Sequence, residues 1–225
     1  MASEVDYNKI IKKGANGVFK PHGLFQKGSS RVWIDDNGWY LTVVEFQPSA
    51  WDKGTYLNVS VHFLWDEKDY LSYDYYTGRV PRMEAFVRFD GDEARFLSDV
   101  QHLAEAALER VMQYRQLRDL HYAQASILQF RAFHIINTLY PQMMICGLNH
   151  DPKARTYFNR LLEELPQYAD VAWTGRIHTE LTESIAPIIG DPERFYGYIC
   201  AKVEKQRAFW QSKSSMKKLS KTVSM

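Results

Sequence analysis

Residues 38–65 read GWYLTVVEFQPSAWDKGTYLNVSVHFLW, which is two strand-like runs on either side of a loop. In the second run, one set of alternating positions is apolar and the other is mostly polar. The apolar set is Leu57, Val59, Val61, Phe63 and Trp65, and the other set is Tyr56, Asn58, Ser60 and His62. Because successive side chains of a strand point to opposite faces, this spacing predicts an antiparallel sheet with one face packed and the other partly wet.

The surrounding residues predict a β-meander behind one short helix. We expect a helix near residues 6–13 that ends before Gly14, and strands near residues 30–35, 39–47, 55–65 and 83–89. Asp36-Asn37-Gly38 separates the first two strands, and Asn-Gly supplies the positive φ angles that a tight hairpin turn needs.

After Gly91 the sequence changes to helical periodicity. One apolar stripe with spacings of three or four runs through residues 92–114: Phe96, Val100, Leu103, Ala107, Val111 and Tyr114. Further helices are predicted over residues 122–139, ending before Pro141, and over 152–165, 168–185 and 192–212. Two of them begin at Asp-Pro pairs, which leaves open a helical repeat, although a stable repeat array normally needs three units.

These patterns together predict an α+β protein, an N-terminal antiparallel β-meander with a short leading helix and a helical C-terminal half. The expected organisation is a sheet domain over residues 1–91, a helical region over 92–212 that packs on the sheet or forms a helical bundle, and a basic flexible tail over 213–225.

The composition argues against several classes of protein. Lys and Arg total 28 against 27 for Asp and Glu, so the net charge of +1 gives no global attraction to nucleic acid or to an anionic membrane. No stretch approaches the roughly 20 apolar residues of a membrane-spanning helix, and residues 1–11 lack a signal-peptide core. Cys146 and Cys200 are expected to be buried free thiols. We therefore expect a cytoplasmic protein with no membrane association, cofactor or metal.

Two segments resemble a family of small bacterial α+β domains of unassigned function. The first is KPHGLFQKG at residues 20–28, and the second runs from Phe46-Gln47-Pro48-Ser49 to Asn58. Members carry a glycine-aromatic-basic-glycine segment, then Gln-x-Ser and Asn on antiparallel strands; here Leu24 replaces an aromatic residue and Pro48 a basic one. The resemblance covers roughly residues 6–89, implies the fold, and supplies no catalytic residues. Its motif positions are Gly23, Gly28, Gln47, Ser49 and Asn58.

Polar side chains of the strand pair form the first candidate site. Asn58, Ser60 and His62 share one face of a strand, and Glu45 and Gln47 are expected to lie opposite them. Such a set could support acid-base catalysis or hold a polar ligand. The wet face of a sheet accounts for the same residues without any function, and Gln47 with Ser49 could simply bond the backbone of the following loop.

Other sequence signals of catalysis are weak or absent. Asp99, His102, Glu105 and Glu109 lie on one side of the first long helix, but the matching ligands of a two-metal site are missing, so a solvated face is expected. The sequence contains no Gly-x-Ser-x-Gly elbow, no P-loop and no Gly-x-Gly-x-x-Gly after a strand. The common hydrolase, kinase and dehydrogenase classes are therefore disfavoured.

The segment over residues 66–76, DEKDYLSYDYY, combines acidic residues with tyrosines. Tyrosine offers a large contact area with a polar tip, which suits recognition surfaces, and an acidic rim would suit a basic partner. The alternative is a connector whose tyrosines cover the edge of the sheet.

The favoured hypothesis is a protein-binding function, such as an immunity-like or defence-associated adaptor of bacterial origin. The residues expected to bind are Gln47, Ser49, Trp51, Asn58, Tyr70, Tyr73, Asp74, Tyr75 and Tyr76. One alternative is a hydrolase or nuclease that uses Glu45 and His62. Another is a nucleic-acid or nucleotide binder in which Trp39, Trp51 and Tyr56 stack on bases, although the near-neutral charge disfavours it.

Overall fold

A computed structural model describes residues 6–76 and 86–219, and the chain separates into two units. Unit 1 contains Met1–Phe63, Lys68–Arg115 and Arg207–Met225, and unit 2 contains Leu64–Glu67 and Gln116–Gln206. The α+β class is confirmed. The division differs from the predicted boundary at residue 91, because the first long helix packs on the sheet and belongs to the same unit.

Unit 1 is built on a five-stranded sheet in which each strand is antiparallel to the next one along the chain. The strands are β1 Phe25–Gln26, β2 Val32–Asp36, β3 Tyr40–Gln47, β4 Gly54–Phe63 and β5 Val87–Arg88. The predicted meander is confirmed. The two-residue β1 was not predicted, because it is too short to show alternation, and residues 83–85 of the predicted fourth strand lie outside the described residues.

The turn between β2 and β3 differs from the predicted Asn-Gly turn. Gly38 has a φ of 83°, whereas Asn37 has no positive φ, and the Asn37 N–H donates to the Tyr40 carbonyl at 3.1 Å. The loop is therefore centred one residue later than expected. The buried Asn37 amide instead donates to the Asp35 carboxylate at 3.0 Å and to the Thr42 hydroxyl at 3.2 Å, so its role is to bond the strand ends.

Two helices cover one face of the sheet. The leading helix, α1, spans Tyr7–Phe19, so the predicted end before Gly14 is wrong. A Cβ atom at Gly14 would lie only 2.8 Å from Cγ1 of Val100, which shows that this glycine allows close approach to α2 rather than ending a helix. Helix α2 spans Glu93–Tyr114 and packs on β3 and β4. Every residue of its predicted apolar stripe is buried.

The end of the chain packs on the opposite sheet face. Trp210 lies edge-on against His62, with ring centroids 5.9 Å apart, and Arg207 pairs with Asp36 at 2.7 Å. Beyond it, a short 3-10 helix spans Ser214–Met216, and Met216 is fully buried. The predicted flexible tail is therefore wrong for residues 213–219, while residues 220–225 lie outside the described residues.

Unit 2 is helical. It contains α3 Leu120–Gln129, α4 Ile135–Leu148, α5 Lys153–Glu164, α6 Ala172–Thr179, a π-helical segment Glu180–Ile185, and α7 Pro192–Ser212 as far as Gln206. Both Asp-Pro starts are confirmed: the Asp151 carboxylate accepts from the Lys153 N–H at 2.8 Å, and the Asp191 carboxylate accepts from the Arg194 N–H at 3.1 Å.

The predicted helix over residues 122–139 is wrong, since the chain breaks between α3 and α4. The Arg131 side chain donates to the carbonyl oxygens of Leu128 and Phe130 at the end of α3. The helix therefore ends without a Gly or Pro, which are the residues that would have indicated its end in the sequence. Pro141 lies inside α4. Proline costs a helix one backbone hydrogen bond, but α4 is buried from Thr138 to Leu148, so tertiary contacts outweigh that cost.

Gly147 is a sensitive position in unit 2. Its Cβ position lies 2.4 Å from the Phe195 ring and 2.5 Å from Ile199 Cδ1, so the two helices meet at a residue without a side chain. We expect Gly147→Ala to lower the free energy of unfolding by about 1 to 3 kcal/mol through overpacking. Gly197→Ala, on a helix position with open space, should instead raise it by about 0.5 to 1 kcal/mol. Urea unfolding measures both, and equal effects of the two substitutions would contradict the close approach.

Candidate functional site

Five polar and aromatic residues lie together on one face of the sheet, near the end of β3 and the start of β4. Register places Glu45 of β3 opposite Asn58 of β4, and Gln47 opposite Tyr56. Tyr73 belongs to the segment that follows β4. It lies on the same face, where its hydroxyl donates a short hydrogen bond to the Glu45 carboxylate. We call Glu45, Gln47, Tyr56, Asn58 and Tyr73 the open patch.

Hydrogen bonds link the side chains of the open patch. The Asn58 amide donates to the Gln47 side-chain oxygen at 2.8 Å and to Glu45 Oε2 at 3.5 Å. Burial and the hydrogen bond to the Glu45 carboxylate raise the pKa of the Tyr73 hydroxyl, which therefore stays protonated as a donor. The Tyr56 ring packs on Phe86 with centroids 4.9 Å apart. The patch is thus a fixed group of amides, one carboxylate and aromatic rings at the surface.

The same sheet face is buried further along the strands. Ser60 and His62 have almost no exposed surface, and Trp210 lies against the His62 ring. The polar residues of β4 therefore divide into an accessible pair, Tyr56 and Asn58, and a buried pair. Alternation alone could not show this division, because the covering residues come from the far end of the chain.

His62 anchors the segment that follows β4. Its Nδ1 atom lies 2.9 Å from Ser72 Oγ and 3.4 Å from Asp74 Oδ2. Lys68 Nζ donates to the other Asp74 oxygen at 2.8 Å, and the Phe63 N–H donates to Asp74 Oδ2 at 2.9 Å. We call residues 68–76 the connector. These bonds fix its backbone against the sheet and engage the Asp74 carboxylate within the protein.

The Asp74 carboxyl should make stability depend on pH. Burial alone would raise its pKa, but the hydrogen bond with His62 and the nearby Lys68 ammonium hold the pKa well below its usual range. Because the folded pKa is the lower one, the stabilisation is present above the unfolded pKa of about 4 and is lost as pH falls toward the folded pKa. Unfolding free energies measured from about pH 7 to about pH 3 should therefore fall more steeply for the wild type than for Asp74→Asn. Identical slopes would contradict this assignment.

The structure does not bring the two predicted catalytic residues together. Glu45 pairs with Asn58 and Leu41 pairs with His62, so Glu45 and His62 lie about 13 Å apart along the strands. His62 is fully buried, and its Nε2 atom has no hydrogen-bond partner among the described residues. Ser72 and Asp74 both approach Nδ1, whereas a Ser-His-Asp relay needs one partner on each ring nitrogen. The arrangement therefore gives no support to a hydrolase or nuclease built on this pair.

The connector displays three of its four tyrosines. Tyr70, Tyr73 and Tyr76 expose 61%, 43% and 45% of their surface. Tyr75 is buried: it pairs with Val61 at the edge of β4 and packs against Phe63 and Tyr114. Tyr75 therefore covers the sheet edge, as the connector alternative predicts, while the other three tyrosines are accessible.

Most of the predicted acidic rim is engaged internally. Asp66 pairs with Arg176 at 2.6 Å, and Glu67 pairs with Lys205 at 2.6 Å, in both cases within unit 2. Asp74 pairs with Lys68. Asp69, the fourth acid of residues 66–76, is exposed. The accessible part of the connector is therefore aromatic rather than strongly acidic.

The loop between β3 and β4 presents Trp51, which is 94% exposed. The Ser49 hydroxyl accepts from the backbone N–H groups of Trp51 and Asp52 at 3.1 and 3.3 Å, so Ser49 has the predicted loop-bonding role. Gln47 does not share that role, because it is exposed and bonds Asn58. Trp39 is buried, and it stacks on Phe63. Its predicted availability for base stacking is therefore wrong.

Unit 2 contains a buried ionic cluster that the sequence did not predict. Glu180 Oε1 accepts from the Tyr140 hydroxyl at 2.9 Å, the Tyr198 hydroxyl at 3.0 Å and, at short range, the Lys202 ammonium. Burial and the Glu180 carboxylate raise the pKa of both tyrosines. The four residues come from α4, α7 and the π-helical segment, so no local pattern could have shown them. Each polar group here is satisfied internally, which indicates a structural role.

Metal and thiol chemistry receive no support from the geometry. Within residues 6–76 and 86–219, no three His, Cys, Asp or Glu side chains cluster as metal ligands would. His102, Glu105 and Glu109 lie on the exposed side of α2. Both cysteines are free: burial raises the pKa of Cys146 to about 12 and also raises that of the half-buried Cys200. Neither thiol is activated as a nucleophile.

Among the described helices, none combines the length and apolarity needed to cross a membrane. No protein-family model, curated protein or solved structure matches the chain. The resemblance over residues 6–89 to a bacterial domain family therefore stays a prediction.

Proposed function

We propose that the protein binds another protein through the connector tyrosines and the adjoining open patch. The single observation that carries this proposal is that the connector exposes Tyr70, Tyr73 and Tyr76 while the residues between them are bonded to the sheet. Ser72 bonds His62, and Asp74 bonds the Phe63 N–H. Large exposed aromatic side chains are common where proteins bind one another, and they supply contact area with few rotatable bonds.

Fixing the connector lowers the cost of binding. A mobile loop must lose conformational entropy when its partner binds, whereas a segment already held by its own hydrogen bonds loses much less. Ser72 and Asp74 bond His62, and Tyr75 bonds the edge of β4. The anchoring residues alternate with the displayed tyrosines along the connector, so the same segment supplies both the anchor and the contact surface.

The charge of the protein also favours a protein partner over nucleic acid. The net charge is +1, and the residues that form the open patch include no Lys or Arg. Affinity for nucleic acid rests largely on contacts from these side chains to phosphates. An immunity-like or defence-associated adaptor is the more specific form of this proposal, and it is compatible with the resemblance to a bacterial domain family.

The proposal is tested by comparing the double variant Tyr70→Ser/Tyr76→Ser with Tyr122→Ser. Tyr122 lies in unit 2 with 47% of its surface exposed, which matches Tyr76 and makes it a suitable control. Tagged wild-type protein is used to capture partners from its native source, and each captured protein is purified and titrated against all three forms. We expect the double variant to bind at least about tenfold more weakly, since aromatic anchors often contribute 2 kcal/mol or more. Equal affinity of the three forms for every captured protein would overturn the proposal.

A further inference from the structure

We infer that the open patch receives an arginine side chain of the protein partner, an inference that rests on the proposed function and names what its site recognises. The Glu45 side chain is half-buried, and its carboxylate accepts from two neutral groups, the Tyr73 hydroxyl and the Asn58 amide. Within residues 6–76 and 86–219, no Lys, Arg or His forms an ion pair with it.

Glu45 differs in this respect from two other acids of unit 1. Asp52 and Asp74 each have a cationic partner within that unit. A carboxylate that is held in place by neutral donors, with no cation paired to it among the described residues, attracts a cation at the surface. Charge complementarity therefore calls for a cation from the partner at this position.

The groups around Glu45 suit a guanidinium better than an ammonium. Tyr73 and Asn58 both bond Oε2, so among the described residues Oε1 has no hydrogen-bond donor. The Asn58 amide nitrogen is used inside the patch, so its oxygen is the group that can accept from outside. Arginine presents several N–H donors in one plane, and that plane can also stack on an aromatic ring. The Tyr73 ring belongs to the side chain that bonds the carboxylate, and Tyr56 lies on the same sheet face opposite Gln47. Cations are attracted to the faces of such rings.

The probe for this inference is N-acetyl-arginine-N-methylamide, with the citrulline analogue as its uncharged, equally shaped control. The side-chain amide signals of Gln47 and Asn58 in an NMR titration report occupancy of the patch directly. We expect saturable shifts with the arginine probe, and binding about tenfold weaker for the citrulline probe, for Glu45→Gln and at high salt. Asp69→Asn, which removes an exposed carboxylate of the connector, should bind the arginine probe like the wild type.

Tyr56→Leu provides a second variant that keeps the carboxylate and removes the ring, and it too should weaken binding. Equal binding of the two probes, or unchanged binding by Glu45→Gln with native chemical shifts elsewhere, would overturn the inference. The two proposals fail differently. If a partner depends on Tyr70 and Tyr76 but the arginine probe does not bind, the arginine site is wrong and protein binding stands. If the probe binds but no captured protein depends on the tyrosines, protein binding through the connector is wrong.

Discussion

Replacing Glu180 by glutamine is expected to lower the free energy of unfolding by about 3 kcal/mol, and replacing it by alanine by up to about 5 kcal/mol. Glu180 is 9% exposed and Lys202 is 6% exposed, so the substitution leaves an ammonium buried without its closest counter-charge. Glu67 lies 3.8 Å from the same ammonium and compensates only in part. The hydroxyls of Tyr140 and Tyr198 also lose a charged acceptor. Chemical unfolding followed by circular dichroism measures the loss.

Glu183→Gln is the matched control, because Glu183 is an exposed residue of the same π-helical segment. It should change stability by less than about 0.5 kcal/mol. Adding Lys202→Met to Glu180→Gln removes the stranded charge as well, so the double variant should recover part of the loss. If Glu180→Gln were no more destabilising than Glu183→Gln, the buried ion pair would not be a stabilising centre of unit 2.

Replacing His62 by alanine is expected to lower the free energy of unfolding by about 3 kcal/mol, through a cavity and the loss of buried hydrogen bonds. The imidazole fills a fully buried site against Trp210, and its Nδ1 atom bonds Ser72 at 2.9 Å. Without the imidazole, the Asp74 carboxylate keeps its bonds to Lys68 and to the Phe63 N–H but loses its contact with His62. The connector should also exchange its amide hydrogens faster, because one of its two anchors is gone.

His102→Ala serves as the control, since His102 is exposed on α2 and lies in the same unit. It should leave both stability and amide exchange in the connector nearly unchanged. A His62→Ala protein with wild-type stability and unchanged exchange would show that His62 does not hold the connector. That result would also reopen a chemical role for this residue.

The sheet was predictable because its signal is local. Alternation along β4 and the runs before it fix strand positions within a few residues, and the stripe on α2 fixes its buried face. The errors arose where distant residues override a local signal. Gly14 looks like a helix end but lies against Val100, and Pro141 looks like a helix stop but is buried inside α4.

The open patch was partly predictable for the same reason. Glu45, Gln47 and Asn58 belong to two adjacent strands, so register alone brings them together. Tyr73 joins them through a bond that spans 28 positions in the sequence, and no pattern indicates it. Exposure was not predictable either: Trp39 and Trp51 flank the same strand, yet one is buried and the other is almost fully exposed. Long-range contacts decide which aromatic residues remain available.

The most direct test of protein binding through the connector is site-specific photo-crosslinking in the native source. The photoreactive p-azidophenylalanine replaces Tyr70 or Tyr76 in one set of proteins and Tyr122 in the control. We expect positions 70 and 76 to crosslink to the same protein, and position 122 not to crosslink to it. Tyr70→Ser introduced beside a crosslinker at position 76 should abolish that product. Crosslinking with equal yield at all three positions, or none at positions 70 and 76, would contradict binding through the connector.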